Sequence, residues 1–281
     1  MLARAKINLY LHVTGRRADG FHLLDSLVVF AETGDEIGVA PADDLSLTIT
    51  GPFAGTLAAD DDNLVLRAAR GLRALAGVEQ GAAITLTKNL PVASGIGGGS
   101  ADAAATLDAL MALWQITPDR AALERLALGL GADVPVCLAG RPSFMSGIGE
   151  EIALVGALPV ATLLLVNPGI ATPTPAVFKA RKGDFSGSGR WTEPPSDARA
   201  LAAVLQSRGN DLTDAAITVT PEIRDVLAAI AGTENCLLAR LSGSGATCFG
   251  IYAGASEAEA ARDAILAANP AWWAVAARIA A

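Results

Sequence analysis

The chain is poor in the residues that metal, disulfide and nucleic-acid chemistry need. Its 281 residues include three cysteines and two histidines. Cys137, Cys236 and Cys248 are far apart, form no CxxC pair and are odd in number. That argues against a disulfide framework and against a zinc site, and a reducing, cytoplasmic setting is expected. His12 and His22 lack HExxH spacing, so a histidine metal site is not expected. There is no Gly-Lys pair, hence no Walker A motif, and no GxSxG elbow of a serine hydrolase. Basic residues are in deficit, 21 against 29 acidic ones, for a net charge of −8. A nucleic-acid binder would carry a basic face instead. Long apolar runs are missing too. The run Ala153–Val166 is interrupted by Gly156 and Pro159 and is too short to span a bilayer. At the N-terminus Arg4 and Lys6 precede an apolar stretch broken by Asn8 and His12, which reads as a strand and not as a signal peptide. Neither a membrane nor a protein partner is implied.

What is abundant is small and apolar. Hydrophobic residues make up 52% of the chain, much of it Ala and Leu, which favours helices packed on sheets. Alternation predicts strands over 5–13, Leu23–Phe30, Glu36–Val39 and Leu45–Thr50, with a turn at Thr14–Gly20. The acidic cluster Asp60-Asp61-Asp62-Asn63 starts a helix over Leu64–Ala76. A strand at 83–88 leads into a glycine loop and a helix over 100–114. Pro118 and Asp119 open another helix to about Leu128, and a loop with Asp133 follows. A second domain is expected from residue 156. It comprises a buried strand Ala161–Val166, a short helix at Phe178 and a mobile Gly/Ser/Pro-rich loop at 182–197. Helices Asp197–Gln206 and Pro221–Ala231, strands Cys236–Leu241 and Thr247–Ala253, a helix over 256–268 and a strand over 272–279 complete it. The expected architecture is α+β, with domains 1–155 and 156–281, the second in β-α-α-β-β-α-β order.

The densest chemical signal is Leu90-Pro91-Val92-Ala93-Ser94-Gly95-Ile96-Gly97-Gly98-Gly99-Ser100-Ala101-Asp102, with four glycines in the five positions 95–99. Glycine permits positive φ and close approach of backbone to a ligand. Several N–H groups on such a loop, together with the helix start behind it, form a cradle for phosphate. Gly95, Gly97 and Ser100 give only GxGxxS, and the neighbouring strands read as antiparallel, so a dinucleotide fold is not indicated.

Four other features bear on chemistry. Lys6 lies in an otherwise apolar strand, either snorkelling at a sheet edge or aimed at a site. Asp133, in Gly131-Ala132-Asp133-Val134-Pro135, is either a helix cap or a general base. If the two meet, the lysine keeps the carboxylate ionised and stabilises a developing alkoxide. The turn Ser242-Gly243-Ser244-Gly245-Ala246-Thr247 is a plain hairpin or a second wall of the phosphate site. Phe21-His22 either stacks on and hydrogen-bonds a base or is structural.

In order and spacing, Ala5-Lys6-Ile7-Asn8-Leu9, the Leu90–Ala101 loop and Gly243-Ser244-Gly245-Ala246 resemble the three motifs of the GHMP kinase superfamily, kinases of galactose, homoserine, mevalonate and related alcohols. Further stretches resemble the branch whose acceptor is a cytidine-diphosphate conjugate of methylerythritol. These are Arg17-Ala18-Asp19-Gly20-Phe21-His22, Asp62-Asn63-Leu64, Leu130–Pro135, Pro173-Thr174-Pro175 with Phe178, and Gly209-Asn210-Asp211-Leu212. The resemblance implies an N-terminal domain like ribosomal protein S5 domain 2 and a ferredoxin-like C-terminal domain. It also implies ATP and Mg²⁺, and phosphorylation of the acceptor's 2-hydroxyl in the non-mevalonate isoprenoid pathway. It matches Asp133 to the catalytic base, Lys6 to its catalytic partner and Asn8 to the acceptor site. It matches Pro91, Val92, Ala93, Ser94, Gly95, Ile96, Gly97, Gly98, Gly99, Ser100 and Ala101 to the ATP phosphate loop, and the Ser100 hydroxyl suits a Mg²⁺ ligand. Asn63 and Lys88 match positions near the adenine. His22 matches the residue that reads the cytosine edge, Phe21 and Phe178 the aromatic pair around that ring, and Thr174 lies beside them. Two positions depart from the pattern: Phe21 where Tyr is common, and Asp102 where some members have Asn. The rival readings are a kinase of homoserine or a mevalonate-type alcohol, and a non-catalytic nucleotide-binding protein.

Overall fold

The computed structural model describes residues 1–60 and 62–280; Asp61 of the acidic cluster lies outside the described residues. In chain order the elements are β1 (Leu2–Arg16), β2 (His22–Ala42), β3 (Leu45–Thr50), α1 (Leu64–Ala76), β4 (Gly81–Thr87), α2 (Gly98–Trp114), α3 (Arg120–Leu130), α4 (Val134–Ala139), β5 (Ser143–Gly147) and β6 (Glu151–Leu154). There follow β7 (Thr162–Asn167), α5 (Thr174–Ala180), α6 (Ala198–Gln206), α7 (Thr213–Val219), α8 (Ile223–Ala231), β8 (Leu238–Leu241), β9 (Cys248–Tyr252), α9 (Ala255–Ala268) and β10 (Trp273–Arg278). The chain forms two compact units. The first comprises Met1–Ala5, Thr33–Val92 and Gly97–Gly140, and the second comprises Lys6–Glu32, Ala93–Ile96 and the chain from Arg141 onward. Strands β1 and β2 each contribute residues to both. Among the described residues no helix is long and apolar enough to cross a membrane.

In the first unit the C-terminal part of β2 pairs antiparallel with β4, from Glu36↔Thr87 to Ala42↔Gly81. The strand β3 pairs parallel with β4, from Leu45↔Ala82 to Thr50↔Thr87. The expectation of purely antiparallel strands before the glycine loop is therefore corrected: α1 carries the chain from β3 back to a parallel neighbour. Asn63 starts α1 where expected, its side chain accepting from Val65 N at 3.0 Å, and Gly77 ends it in the left-handed region. Val65, Ala68, Ala69 and Leu72 of α1 pack with Ala101, Ala104 and Leu107 of α2 and with Ile84 and Leu86 of β4. The alanines of α2 let its neighbours approach closely, so this helix is buried on most of its circumference.

The sequence predicts two strands at Leu23–Phe30 and Glu36–Val39, whereas β2 is continuous. The polar residues between them are strand because their needs are met inside the fold. A Cβ at Gly34 would stand 2.1 Å from the carbonyl oxygen of Ala3, so only glycine allows this approach to β1. Asp35 is fully buried. Its Oδ1 accepts from the backbone N–H of Asn89 and Leu90, at 2.6 and 2.8 Å. Its Oδ2 accepts from Lys88 Nζ, which also donates to Asp102 Oδ2 at 2.8 Å. The predicted turn at Thr14–Gly20 likewise shrinks, with β1 reaching Arg16 and Arg17 N donating to Phe21 O at 2.8 Å.

The second unit contains the antiparallel sheet β10-β7-β9-β8, in which the outer connections run through helices as a ferredoxin-like order requires. The strand β7 is buried along its whole length. Ile223, Val226 and Ile230 of α8 and Ala258, Ala261 and Ile265 of α9 supply much of the core. The N-terminal part of β2 pairs with β5, and β5 with β6. The stretch 182–197, expected to be a mobile loop, is held by hydrogen bonds at Ser186 and at Ser188, Gly189 and Arg190. The segment lacks regular structure but is fastened down, since Asp25 accepts from Ser188 Oγ at 2.7 Å, Gly189 N at 2.6 Å and Arg190 Nε at 3.3 Å. Ser186 N donates to Val13 O at 3.0 Å, and Arg208 Nε donates to Gly189 O.

The buried charges leave a mark on stability. Burial, with the charge of Asp35 adding to it, pushes Asp102 up to about 7 despite the opposing Lys88. The folded chain then holds a proton that the unfolded chain releases above its ordinary value of 3.8. This contribution is full below that value and is lost as pH rises towards 7. The Asp102→Asn variant should therefore lose less stability than the parent between pH 4.5 and 7. Melting temperatures across that range test it, and parallel curves for the two proteins would refute it.

Candidate active site

The glycine loop adopts the conformation its composition suggests. Gly95 and Gly97 have φ of 76° and 64°, and Ala93 joins them at 50°. Gly97 is the N-cap of α2 and has no side chain to occupy the helix start. The first amides of α2 lack partners within the helix and are suited to an anion.

Residues 93–96 belong to the second unit, where they are locked to β1 and to the second glycine turn. Lys6 N donates to Ile96 O at 2.9 Å, and Thr247 N to Ser94 O at 3.0 Å. Ser242 Oγ donates to Gly95 O at 3.1 Å and accepts from Asn8 N at 3.2 Å. The approach is so close that a Cβ on Gly95 would lie 2.5 Å from Ser242 O, and one on Gly243 2.7 Å from Gly95 O. The second turn is thus no isolated hairpin. Asn210, within the predicted stretch Gly209–Leu212, holds it from below by donating to Leu241 O and Gly243 O at 2.9 and 2.8 Å. Lys6 is 4% exposed, so it does not snorkel. Asn8 is buried beside it on β1 and donates to Ser26 Oγ at 2.8 Å.

The first unit holds Asn63, Lys88, Ser100 and Asp133. Asp133 occupies the N-cap position of α4, a helix the sequence did not reveal, but its side chain makes no capping bond. A Cβ on Gly131 would lie 4.0 Å from Ser100 Oγ, so the turn carrying Asp133 borders the start of α2. Asn63 caps α1 and also donates to Ala58 O at 2.9 Å. The Lys88 ammonium is buried between the two carboxylates, 3% exposed. Burial alone would discharge it, but Asp102 and Asp35 outweigh burial and hold it charged. It supports the loop and does not present a cation to a ligand. Asp35 went unremarked in the sequence. The signal was a lone acid in a strand-like stretch, which cannot be told from a turn without knowing that Lys88 faces it.

The aromatic residues lie near the start of β2 and on α5. His22 stacks on Phe178, with ring centroids 5.0 Å apart and planes 27° off parallel, while Phe21 is exposed. Burial lowers the pKa of His22, and Arg16 and Arg181 add to this, which favours a neutral ring at neutral pH. Thr174 Oγ1 lies 2.7 Å from Ser244 Oγ, which links the start of α5 to the second glycine turn. Within the second unit Lys6, Asn8, residues 93–96, the second turn and Thr174 therefore form one connected network.

The chain is similar to known proteins in both sequence and structure. The GHMP kinases N terminal domain matches residues 63–141, and the GHMP kinases C terminal domain matches residues 195–271. A 4-diphosphocytidyl-2-C-methyl-D-erythritol kinase of Paramagnetospirillum magneticum is 58% identical over 96% of this chain and 95% of its own. A crystal structure of 4-(cytidine 5'-diphospho)-2C-methyl-D-erythritol kinase is 34% identical, with a TM-score of 0.81 over 100% of this chain and 99% of the other. A homoserine kinase from Cytophaga hutchinsonii shares the fold, with a TM-score of 0.74 at 18% identity over 99% of this chain and 92% of its own. At that extent and identity the chain belongs to the GHMP kinases, in the family of the 4-diphosphocytidyl-2-C-methyl-D-erythritol kinases.

Proposed function

We propose that this chain transfers the γ-phosphoryl group of ATP to the 2-hydroxyl of 4-diphosphocytidyl-2-C-methyl-D-erythritol, giving the 2-phosphate and ADP, in the non-mevalonate isoprenoid pathway. The observation that carries this reading is the 58% identity over nearly the full chain to a kinase named for that acceptor. The chemistry of the residues supports it. Positioning and charge neutralisation dominate phosphoryl transfer. The backbone N–H groups between Val92 and Ser100 are suited to the phosphates of ATP. A Mg²⁺ ion neutralises phosphate charge when bound. Among the described residues no three acidic, histidine or cysteine side chains converge on such an ion. Ser100 would hold such an ion through its hydroxyl, beside the phosphates and water.

Asp133 takes the proton of the 2-hydroxyl as that oxygen bonds to phosphorus and the bond to the ADP oxygen breaks. Lys6 stabilises the negative charge that builds on the attacking oxygen. His22, kept neutral, reads the cytosine edge, and Phe178 supplies a ring face. Asn8 and Thr174 line the acceptor side. The unpaired cysteines suit a reducing cytoplasm.

The direct test is ADP release from ATP and Mg²⁺ with the cytidine conjugate, run beside homoserine and mevalonate. Turnover with the conjugate alone is expected; turnover with a control instead would keep the kinase and discard the acceptor. Asp133→Asn should lower kcat by about 10²- to 10⁴-fold while the KM for ATP holds within about twofold. An unchanged kcat would remove Asp133 from the role of base. His22→Ala should raise the acceptor KM about tenfold, equivalent to ~1.4 kcal/mol, and leave that for ATP in place. Equal rises for both substrates would make His22 structural.

A further inference from the structure

We propose that Asp35, Lys88 and Asp102 together position the two ends of the phosphate loop, up to Val92 and from Gly97 on, fixing where their amides point when ATP binds. The inference rests on the kinase reading above and adds three positioning residues to it.

The geometry is that of a clamp on both ends of the loop. At its start, Asp35 Oδ1 accepts from Asn89 N and Leu90 N, the two residues before Pro91. At its far end, Asp102 lies in the first turns of α2 and accepts from Lys88 Nζ at 2.8 Å. Lys88 joins the two carboxylates, so both ends of the loop are tied to one point on β2. The loop also rests directly on this point: a Cβ on Gly98 would lie 3.0 Å from Lys88 Nζ and 3.7 Å from Asp35 Oδ2. Lys88 itself is fixed through its backbone, its N donating to Thr50 O at 2.7 Å and its O accepting from Phe53 N at 3.2 Å.

Stability alone does not account for this arrangement. Replacing a buried ion cluster by apolar side chains of similar volume is often neutral or stabilising. Directional bonds do what apolar packing does not: they set the angle of the chain as it enters and leaves the loop. Phosphate-binding amides need that accuracy, since a displacement of about 1 Å at a reacting group costs on the order of a hundredfold.

The test is ADP binding by titration calorimetry without acceptor, on the full chain. Asp35→Asn and Lys88→Met are expected to raise the Kd for ADP about tenfold or more, and the acceptor KM of their residual activity should stay within about twofold. Leu110→Ala, a buried truncation elsewhere in α2, is the control for simple destabilisation and should leave ADP binding unchanged. Asp102→Asn, whose amide oxygen still accepts from Lys88, should bind ADP more tightly than Asp102→Leu, and this comparison stands even where Asp35→Asn fails to fold. ADP affinity equal to the parent's in Lys88→Met, or lost equally in Leu110→Ala, would overturn the clamp. Absence of ADP binding by the parent would overturn the kinase reading and this inference with it.

Discussion

Backbone approaching closer than any side chain permits is the constraint on which this structure turns. It occurs where the two glycine turns of the second unit meet, with the Cα atoms of Gly95 and Gly243 lying against the opposite carbonyls. It occurs again in the first unit, where Gly34 presses on the Ala3 carbonyl. Glycine loses more conformational freedom on folding than any other residue. A chain that places it at each of these contacts gives up stability to gain proximity. What proximity provides is direct packing of main chain against its neighbours, which holds the glycine loop and the second turn in fixed positions.

The ordering cost is offset by hydrogen bonds from residues that are not themselves glycine. Ser242 bridges Asn8 N and Gly95 O, and Asn210 grips two carbonyls of the second turn. Asp35 holds the two amides before Pro91. Each of these side chains is buried, and each satisfies main-chain groups that would otherwise be costly to bury. The loop is therefore flexible in composition but fixed in place. Segment 182–197 follows the same rule: its Gly- and Ser-rich sequence suggests mobility, but the Asp25 carboxylate gathers Ser188, Gly189 and Arg190.

Much of this was legible because it is local. The helix over Leu64–Ala76 follows from its cap and its apolar spacing and has those bounds in the structure. The helix after the glycine loop and the β-α-α-β-β-α-β succession of the second domain were legible for the same reason, whereas the ferredoxin-like arrangement came only with the family resemblance. The illegible parts depend on partners distant in sequence. Nothing local says that Glu32–Asp35 is strand, because Asp35 needs Lys88, 53 residues away. The parallel pairing of β3 depends on where α1 returns the chain. The elements α4, β5, β6 and α7 are all seven residues or shorter, too brief for periodicity to show. Of the site residues, Lys6, Asn8 and the loop were marked by motif. The engagement of Lys88 with two carboxylates was not, because a charge in sequence does not reveal its counter-charge.

The same cluster explains how a carboxylate is tolerated beside the loop proposed to hold phosphate. Asp102 stands where Asn is found in some members of the family, and a negative charge so near the loop would oppose phosphate binding if it faced solvent. It does not: its side chain is 4% exposed and engages Lys88 beneath Gly98. Its Oδ1 has no hydrogen-bond partner, which penalises the ionised form, and burial pushes it up to about 7. With the proton on Asp102, one ammonium faces one carboxylate, that of Asp35, and the cluster is neutral. Asp102 thus keeps the acceptor for Lys88 that an asparagine would also offer, and adds no net charge beside the loop as long as the pH stays below the range where it ionises.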